Sequence, residues 1–258
     1  MAKSYMIAIV ILIGCASTNK AIDSSILAKL NSVEQSPETE GILIYEGSVF
    51  AIDDQNPKQV FSYERRVREE KEILIANHIT RNMDKKVIIT QIAKYVPKYQ
   101  LKNFEYINGQ VGYIAKVEVN RNLVRYSLTD NSGNTTSSEE EVNEPLVVGP
   151  TLFGFISTNW ETLSAGNSLF VQFIVAEQKK TYRFEIRRLS ENNGITRFEM
   201  KATNWLIGLF IKPFQFDFDS SKHTIITYQG RVPPMRSING QLKELDARVT
   251  YVHRSNYR

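Results

Sequence analysis

Three stretches in the last third of the chain alternate strictly between apolar and polar residues, and this period of two limits the fold more than any other feature. In "TYRFEIRRL", Tyr182, Phe184 and Ile186 alternate with Arg183, Glu185 and Arg187. In "TRFEMKAT", Phe198, Met200 and Ala202 alternate with Arg197, Glu199 and Lys201. In "FQFDFD", Phe214, Phe216 and Phe218 alternate with Gln215, Asp217 and Asp219. Successive side chains on a strand point to opposite faces, so each stretch predicts a strand with one buried and one wet face. The wet faces carry both signs of charge, which makes Arg–Glu pairs available across neighbouring strands.

The same signal starts earlier. From Gly41 onward, β-branched and aromatic runs such as "ILIYEGSVFAI", "QVFSYERRV", "EILIANHIT", "KVIITQIAKY" and "GYIAKVEVN" are separated by short polar breaks. Many short strands at steady spacing predict an antiparallel, mainly β body, and Asn108-Gly109 marks a tight turn between two of them. "HTIITYQG" reads as a further strand, and "ARVTYVH" as a last one. The polar segment 130–145, "DNSGNTTSSEEEVNEP", predicts a long exposed loop, with a domain boundary as the alternative.

One helix stands out. Gly149-Pro150 opens it, since proline suits a first helical position. Leu152, Ile156, Trp160 and Leu163 recur at spacings of three to four, Phe153 and Phe155 widen the apolar face, and Gly166 is placed to end it. "NWLIGLFIKP" is apolar on all sides and predicts either a short core helix or a lip over the core. The expected fold class is therefore mainly β: a curved antiparallel sheet or half-open β-barrel with one apolar helix packed in or across it.

The N-terminus has a different character. Lys3 precedes "MIAIVILI", an uncharged apolar run of eight residues from Met6 to Ile13. A bilayer-spanning helix needs roughly 20 residues, so the run fits the apolar core of a secretory signal instead. Leu12, Ile13, Gly14 and Cys15 follow as large aliphatic, aliphatic, small and cysteine. This resembles the lipobox of bacterial lipoproteins, a resemblance confined to roughly the first 15 residues. It implies that the Cys15 thiol carries a diacylglycerol, that the chain is cut before Cys15, and that the new amine is often acylated (palmitate-type chains) as well. Two or three acyl chains anchor stably where one is marginal, at about 0.8 kcal/mol per buried methylene. The alternative is a buried strand ending in a cysteine; position, charge, run length and the small Gly14 all favour the lipobox. The residues after the cysteine, Ala16 and Ser17, are not aspartate, which in that family favours the outer membrane, facing the periplasm, over inner-membrane retention.

These readings divide the chain into a signal peptide at 1–14, a lipid-anchored flexible tether at 15–40, where "ILAKL" allows one helical turn, and a single β-rich domain at 41–258. The order from Gly149 to Gly230 (apolar helix with Trp, alternating charged strands, short apolar segment, "FQFD" strand, "YQG" strand) resembles the half-barrel of lipoprotein localisation factors and of uncharacterised envelope lipoproteins. That likeness implies a fold and no particular site.

Composition excludes several functions. The 32 basic against 28 acidic residues leave a net charge of +4, and the basic ones fall in scattered pairs (Arg65-Arg66, Lys85-Lys86, Lys179-Lys180, Arg187-Arg188) read as solvated strand faces. A nucleic-acid binder concentrates its charge, so no nucleic-acid partner is expected. One cysteine excludes an internal disulfide framework. His78, His223 and His253 show no metal spacing, and no nucleophile elbow or phosphate loop occurs. Asp217, Asp219 and His223 lie close enough in sequence to meet a metal, but a wet strand face beside a turn accounts for them better. No metal or cofactor is expected. The two tryptophans both follow Thr-Asn, at Trp160 and Trp205, which allows two aromatic rims around a ligand mouth or a coincidence of two core segments.

The expected function is a non-catalytic envelope lipoprotein, anchored by the lipid on Cys15, whose body binds an apolar ligand (a lipid or acyl chain) or a partner protein. Phe153, Phe155, Trp160, Trp205 and Phe210 are the candidate ligand-binding residues. A surface adhesin or structural envelope protein is the alternative, and an envelope hydrolase ranks below both. Lipid carriage requires a deep cavity lined by Phe and Leu under the helix.

Overall fold

The structure is a computed structural model, which describes residues 22–35, 41–54, 57–209 and 211–255. Its strands are β1 (Ile42–Ala51), β2 (Gln59–Glu70), β3 (Ile73–Arg81), β4 (Val87–Val96), β5 (Gln100–Asn108), β6 (Tyr113–Asn120), β7 (Leu123–Thr129), β8 (Thr135–Glu141), β9 (Leu146–Val147), β10 (Leu169–Val175), β11 (Lys180–Asn192), β12 (Ile195–Ala202), β13 (Phe214–Asp219), β14 (Thr224–Ile238) and β15 (Gln241–His253). All fifteen belong to one sheet, ordered β8-β7-β6-β5-β4-β3-β2-β1-β15-β14-β13-β12-β11-β10-β9. β1 pairs with β15 over Tyr45–Ala51, which joins the two halves of the chain. Every neighbour pairing is antiparallel except β9 with β10. The expected mainly β, curved antiparallel fold is what forms.

The three alternating stretches are β11, β12 and β13. Phe184, Ile186, Phe198, Met200, Phe216 and Phe218 are all buried on the inner face. Outward, Arg187 meets Glu199 at 2.9 Å and Arg197 meets Asp217 at 2.6 Å, so the cross-strand charge pairs do form.

The sheet curls until its two ends approach, but no backbone ladder closes it into a barrel. Side chains span the gap instead. Ser138 Oγ donates to the Lys179 carbonyl (3.0 Å), Lys179 Nζ to Thr136 Oγ1 (2.8 Å), and the Thr181 amide to Glu140 Oε1 (2.7 Å). Antiparallel connections alternate between two rims. The turns after β1, β3, β5, β7, β10, β12 and β14 form the upper rim, those after β2, β4, β6, β8, β11 and β13 form the lower one, and the β9–β10 connection runs from upper to lower. At the upper rim the β14–β15 hairpin arches inward: the Gln110 side chain both donates to the Met235 carbonyl and accepts from its amide, each at 2.9 Å.

Helix α2 (Gly149–Thr158) crosses the concave face, touching β3 and β4 on one side and β14 on the other. Pro150 opens it and Asn159 (φ −101°, ψ 22°) breaks it from α3 (Trp160–Ser164). Gly154 sits against Tyr99, where a Cβ would overlap the ring, so only glycine allows this approach.

Two expectations need correction. The segment 130–145 is not one long loop. A turn at Asp130–Asn134, held by Ser132 and Asn134 amides donating to Asp130 Oδ1, leads into β8, which pairs with β7 along its length. The strand escapes a hydrophobicity search because nearly all its side chains are exposed; as a terminal strand it gains from polar, acidic residues that discourage further pairing. The tether at 15–40 is also too long. Within it lies α1 (Ser24–Gln35), in which Ile26 and Leu30 are each 2% exposed. Spaced four apart, they form a stripe that covers Ile75, Ile79, Ile92 and Ile107 on the outer face of β3–β5. Cys15 lies outside the described residues.

Candidate functional site

The feature that distinguishes the interior is a buried polar row beneath α2. Strand register lines up His253, Tyr45, Arg65, His78 and Gln91 across β15, β1, β2, β3 and β4. Neighbouring strands lie about 4.8 Å apart, so these side chains touch. Arg65 is 6% and His78 2% exposed.

Arg65 is the centre of the row. Its Nη1 donates to His78 Nε2 at 2.8 Å and also to the Pro150 carbonyl, and its Nη2 donates to the Tyr95 hydroxyl at 3.3 Å. No carboxylate pairs with it among the described residues. A buried charge is costly unless its hydrogen bonds are met; here neutral acceptors meet them, and α2 is tied to the sheet as a result. Burial works against the charge, yet the oxygens of Tyr45 and Tyr95 hold the Arg65 pKa above its usual value. A guanidinium only donates, so His78 Nε2 accepts and Nδ1 carries the ring proton toward the Tyr63 hydroxyl. Burial and then the Arg65 charge push the His78 pKa well below its usual value, which keeps the ring neutral. Burial likewise raises Tyr45 and Tyr63. The row is suited to clamping a helix and fixing the sheet's curvature. Its tyrosine hydroxyls are held protonated, and no activated nucleophile faces His78 within it.

Of the predicted ligand-binding residues, Phe153, Phe155 and Trp160 lie together in the core beside α2, and Trp205 stands apart from them. Phe153 packs among five rings, with centroid distances of 5.5 Å to Tyr251, 5.8 Å to Phe216 and 6.2 Å to Phe218 among them. Phe155 is buried. Trp160 is buried too, stacked on His223 at 4.1 Å and edge-on to Phe198 at 5.1 Å. Trp205 opens α4 (Trp205–Gly208) at the upper rim and is 71% exposed, whereas Trp160 lies toward the lower rim. The two Thr-Asn-Trp segments thus frame no common mouth. Phe210 lies outside the described residues.

Asp217 accepts from Arg197 and from Thr227 Oγ1, and Asp219 caps the Ser221 and Lys222 amides, while His223 stacks on Trp160. Among the described residues no group of three or more His, Cys, Asp or Glu side chains could hold a metal ion. Two clefts, of about 290 and 470 Å3, lie over β5–β8 on the convex face and are lined mainly by polar residues such as Lys102, Glu118 and Arg125. No described helix is long and apolar enough to cross a membrane.

Sequence reasoning missed Arg65 by treating Arg65-Arg66 as a solvated pair. The signal was parity: in "QVFSYERRV", Arg65 shares the inward register of Phe61, Tyr63 and Val67, and Arg66 does not.

No protein-family model matches the chain, and no curated protein matches it. Among solved structures it is similar to a β-barrel-like protein of a domain of unknown function, DUF1849, from Brucella abortus, at 6% identity and a TM-score of 0.43, over 81% of this chain and 96% of that one.

Proposed function

We propose that the protein is a non-catalytic bacterial envelope lipoprotein, anchored through acylated Cys15 in the outer membrane and facing the periplasm, whose β body binds a partner. The observation that carries this reading is Leu12-Ile13-Gly14-Cys15 directly after a charged start and an uncharged apolar run. Packing bears on the kind of partner. Phe153, Phe155 and Trp160 are spent on the core under α2, the space an acyl chain would occupy, and the two clefts are open grooves over β5–β8. Both points favour a protein partner over a carried lipid.

Mass spectrometry of the native protein tests the anchor. A mature chain beginning at Cys15 and carrying diacylglycerol is expected. A native chain that does not begin at Cys15, or that carries no acyl mass there, would sink it. The same spectra read any co-purified lipid, whose stoichiometric presence would restore the apolar-ligand form of the proposal.

A further inference from the structure

The upper rim gathers exposed apolar tips. The three most exposed large apolar side chains of the described residues are Trp205 (71%), Leu209 (67%) and Met83 (58%). Trp205 and Leu209 lie between β12 and β13, and Met83 lies between β3 and β4, so strand order places them on opposite sides of the same rim. Ile52, Val111 and Ile238, all more than one-third exposed, sit on further turns of that rim. Apolar exposure elsewhere is smaller than at Trp205, Leu209 and Met83: Ile42, Ile73 and Ile195 begin strands at the lower rim, and Phe170, Leu189 and Val252 lie within strands.

Three observations say what faces this rim. The chain enters the body there: the Asp23 amide donates to Asn131 Oδ1, on the β7–β8 turn, at 2.6 Å. Only six residues, Ala16 to Ala21, separate Cys15 from Ile22, so the span between them is at most about 25 Å fully extended. The rim's turns carry Lys58, Lys85, Lys86 and Lys212 beside Asp53, Asp54, Asp84 and Asp130, so both signs of charge lie among the apolar tips. Apolar tips set among charges of both signs match the headgroup level of a bilayer, where tryptophan is favoured.

We infer that this rim rests on the surface of the bilayer that holds the N-terminal lipid, with Trp205, Leu209 and Met83 dipping into the headgroup region. The inference rests on the lipoprotein reading, because the short tether is what holds the rim at the membrane. It makes the body a pedestal: the upper rim is occupied by lipid, and the lower rim and convex face remain for a partner.

The test uses the full chain, purified from membranes, in vesicles of phosphatidylethanolamine and phosphatidylglycerol containing brominated lipid. Trp205 is exposed, so Trp205→Phe leaves the core intact, and Trp160 serves both proteins as a buried internal standard. The expected result is a blue-shifted emission component quenched by brominated lipid in the native protein and missing in Trp205→Phe. A Trp205→Ser/Leu209→Ser variant without the lipid (Cys15→Ala background) is expected to bind the same vesicles about tenfold more weakly than its parent. Acylated protein whose Trp205 emission stays water-like, or is blue-shifted but untouched by brominated lipid, overturns the inference; the second pattern would assign the rim to a protein contact. A chain without acyl mass on Cys15 refutes the anchor separately. In that case, failure of the unacylated chain to bind the vesicles also overturns the rim contact.

Discussion

Arg65 Nη1 lies 2.8 Å from Nε2 of His78, with both side chains buried and no carboxylate paired with Arg65 among the described residues. A cation here fixes its neighbour's chemistry: it compels His78 to stay neutral and to point its ring proton at Tyr63. The Pro150 carbonyl completes the clamp and brings α2 against β2 and β3. A charged hydrogen-bonding hub is therefore built into a core of aliphatic and aromatic side chains.

The first prediction concerns acid. The His78 pKa is lowered well below its ordinary 6.5 in the folded chain. As pH falls through that ordinary value, the unfolded chain takes up a proton that the folded chain refuses. The stability contributed by neutral His78 is complete above that pH and is lost progressively below it, at up to about 1.4 kcal/mol per pH unit. Urea midpoints measured from about pH 7.5 down to about pH 5 are expected to fall more steeply for the native protein than for His78→Gln. Parallel slopes would refute the role assigned to His78.

The second concerns the helix. The Gly154 backbone meets the Tyr99 ring, and that ring is stacked on Tyr95 at 5.0 Å and cannot swing away freely. Gly154→Ala is expected to destabilise the protein by about 1–3 kcal/mol. Combining it with Tyr99→Ala should cost less than the sum of the two single changes. Additive losses would show that the contact is not the cause.

The third concerns the gap between the ends of the sheet. Glu140 Oε1 accepts from the Tyr126 hydroxyl at 2.5 Å and from the Thr181 amide at 2.7 Å. Glu140→Ala leaves that amide without its partner. Hydrogen exchange at Thr181 is expected to quicken, with a global loss of about 1–2 kcal/mol. Unchanged exchange would mean that the ends are held by other contacts.

The fourth concerns α1. Leu30 is buried against the outer face of the sheet, close over Gly109. Leu30→Ala is expected to cost about 2–4 kcal/mol at the docking site. The readout is protease cutting within Ser24–Gln35, faster in the variant while the β body survives. Equal cutting rates would place α1's stability elsewhere.

The period of two in β11, β12 and β13 determined by itself that these segments are strands, and which side chains face the core, because alternation is a local property of extended chain. Pro150 and the three-to-four spacing of Leu152, Ile156 and Trp160 likewise marked the helix and its buried face. Pairing decided the rest. The polar run of β8 becomes a strand only because β7 offers its backbone edge. Ile26 and Leu30 become core only because the convex face of β3–β5 is apolar and uncovered. Arg65 reaches His78 through the β2–β3 register, Trp160 and Trp205 part because their segments sit toward opposite rims, and Trp205 joins Met83 on one rim only through the order of strands in the sheet. These relations link residues far apart in sequence, and no local pattern encodes them.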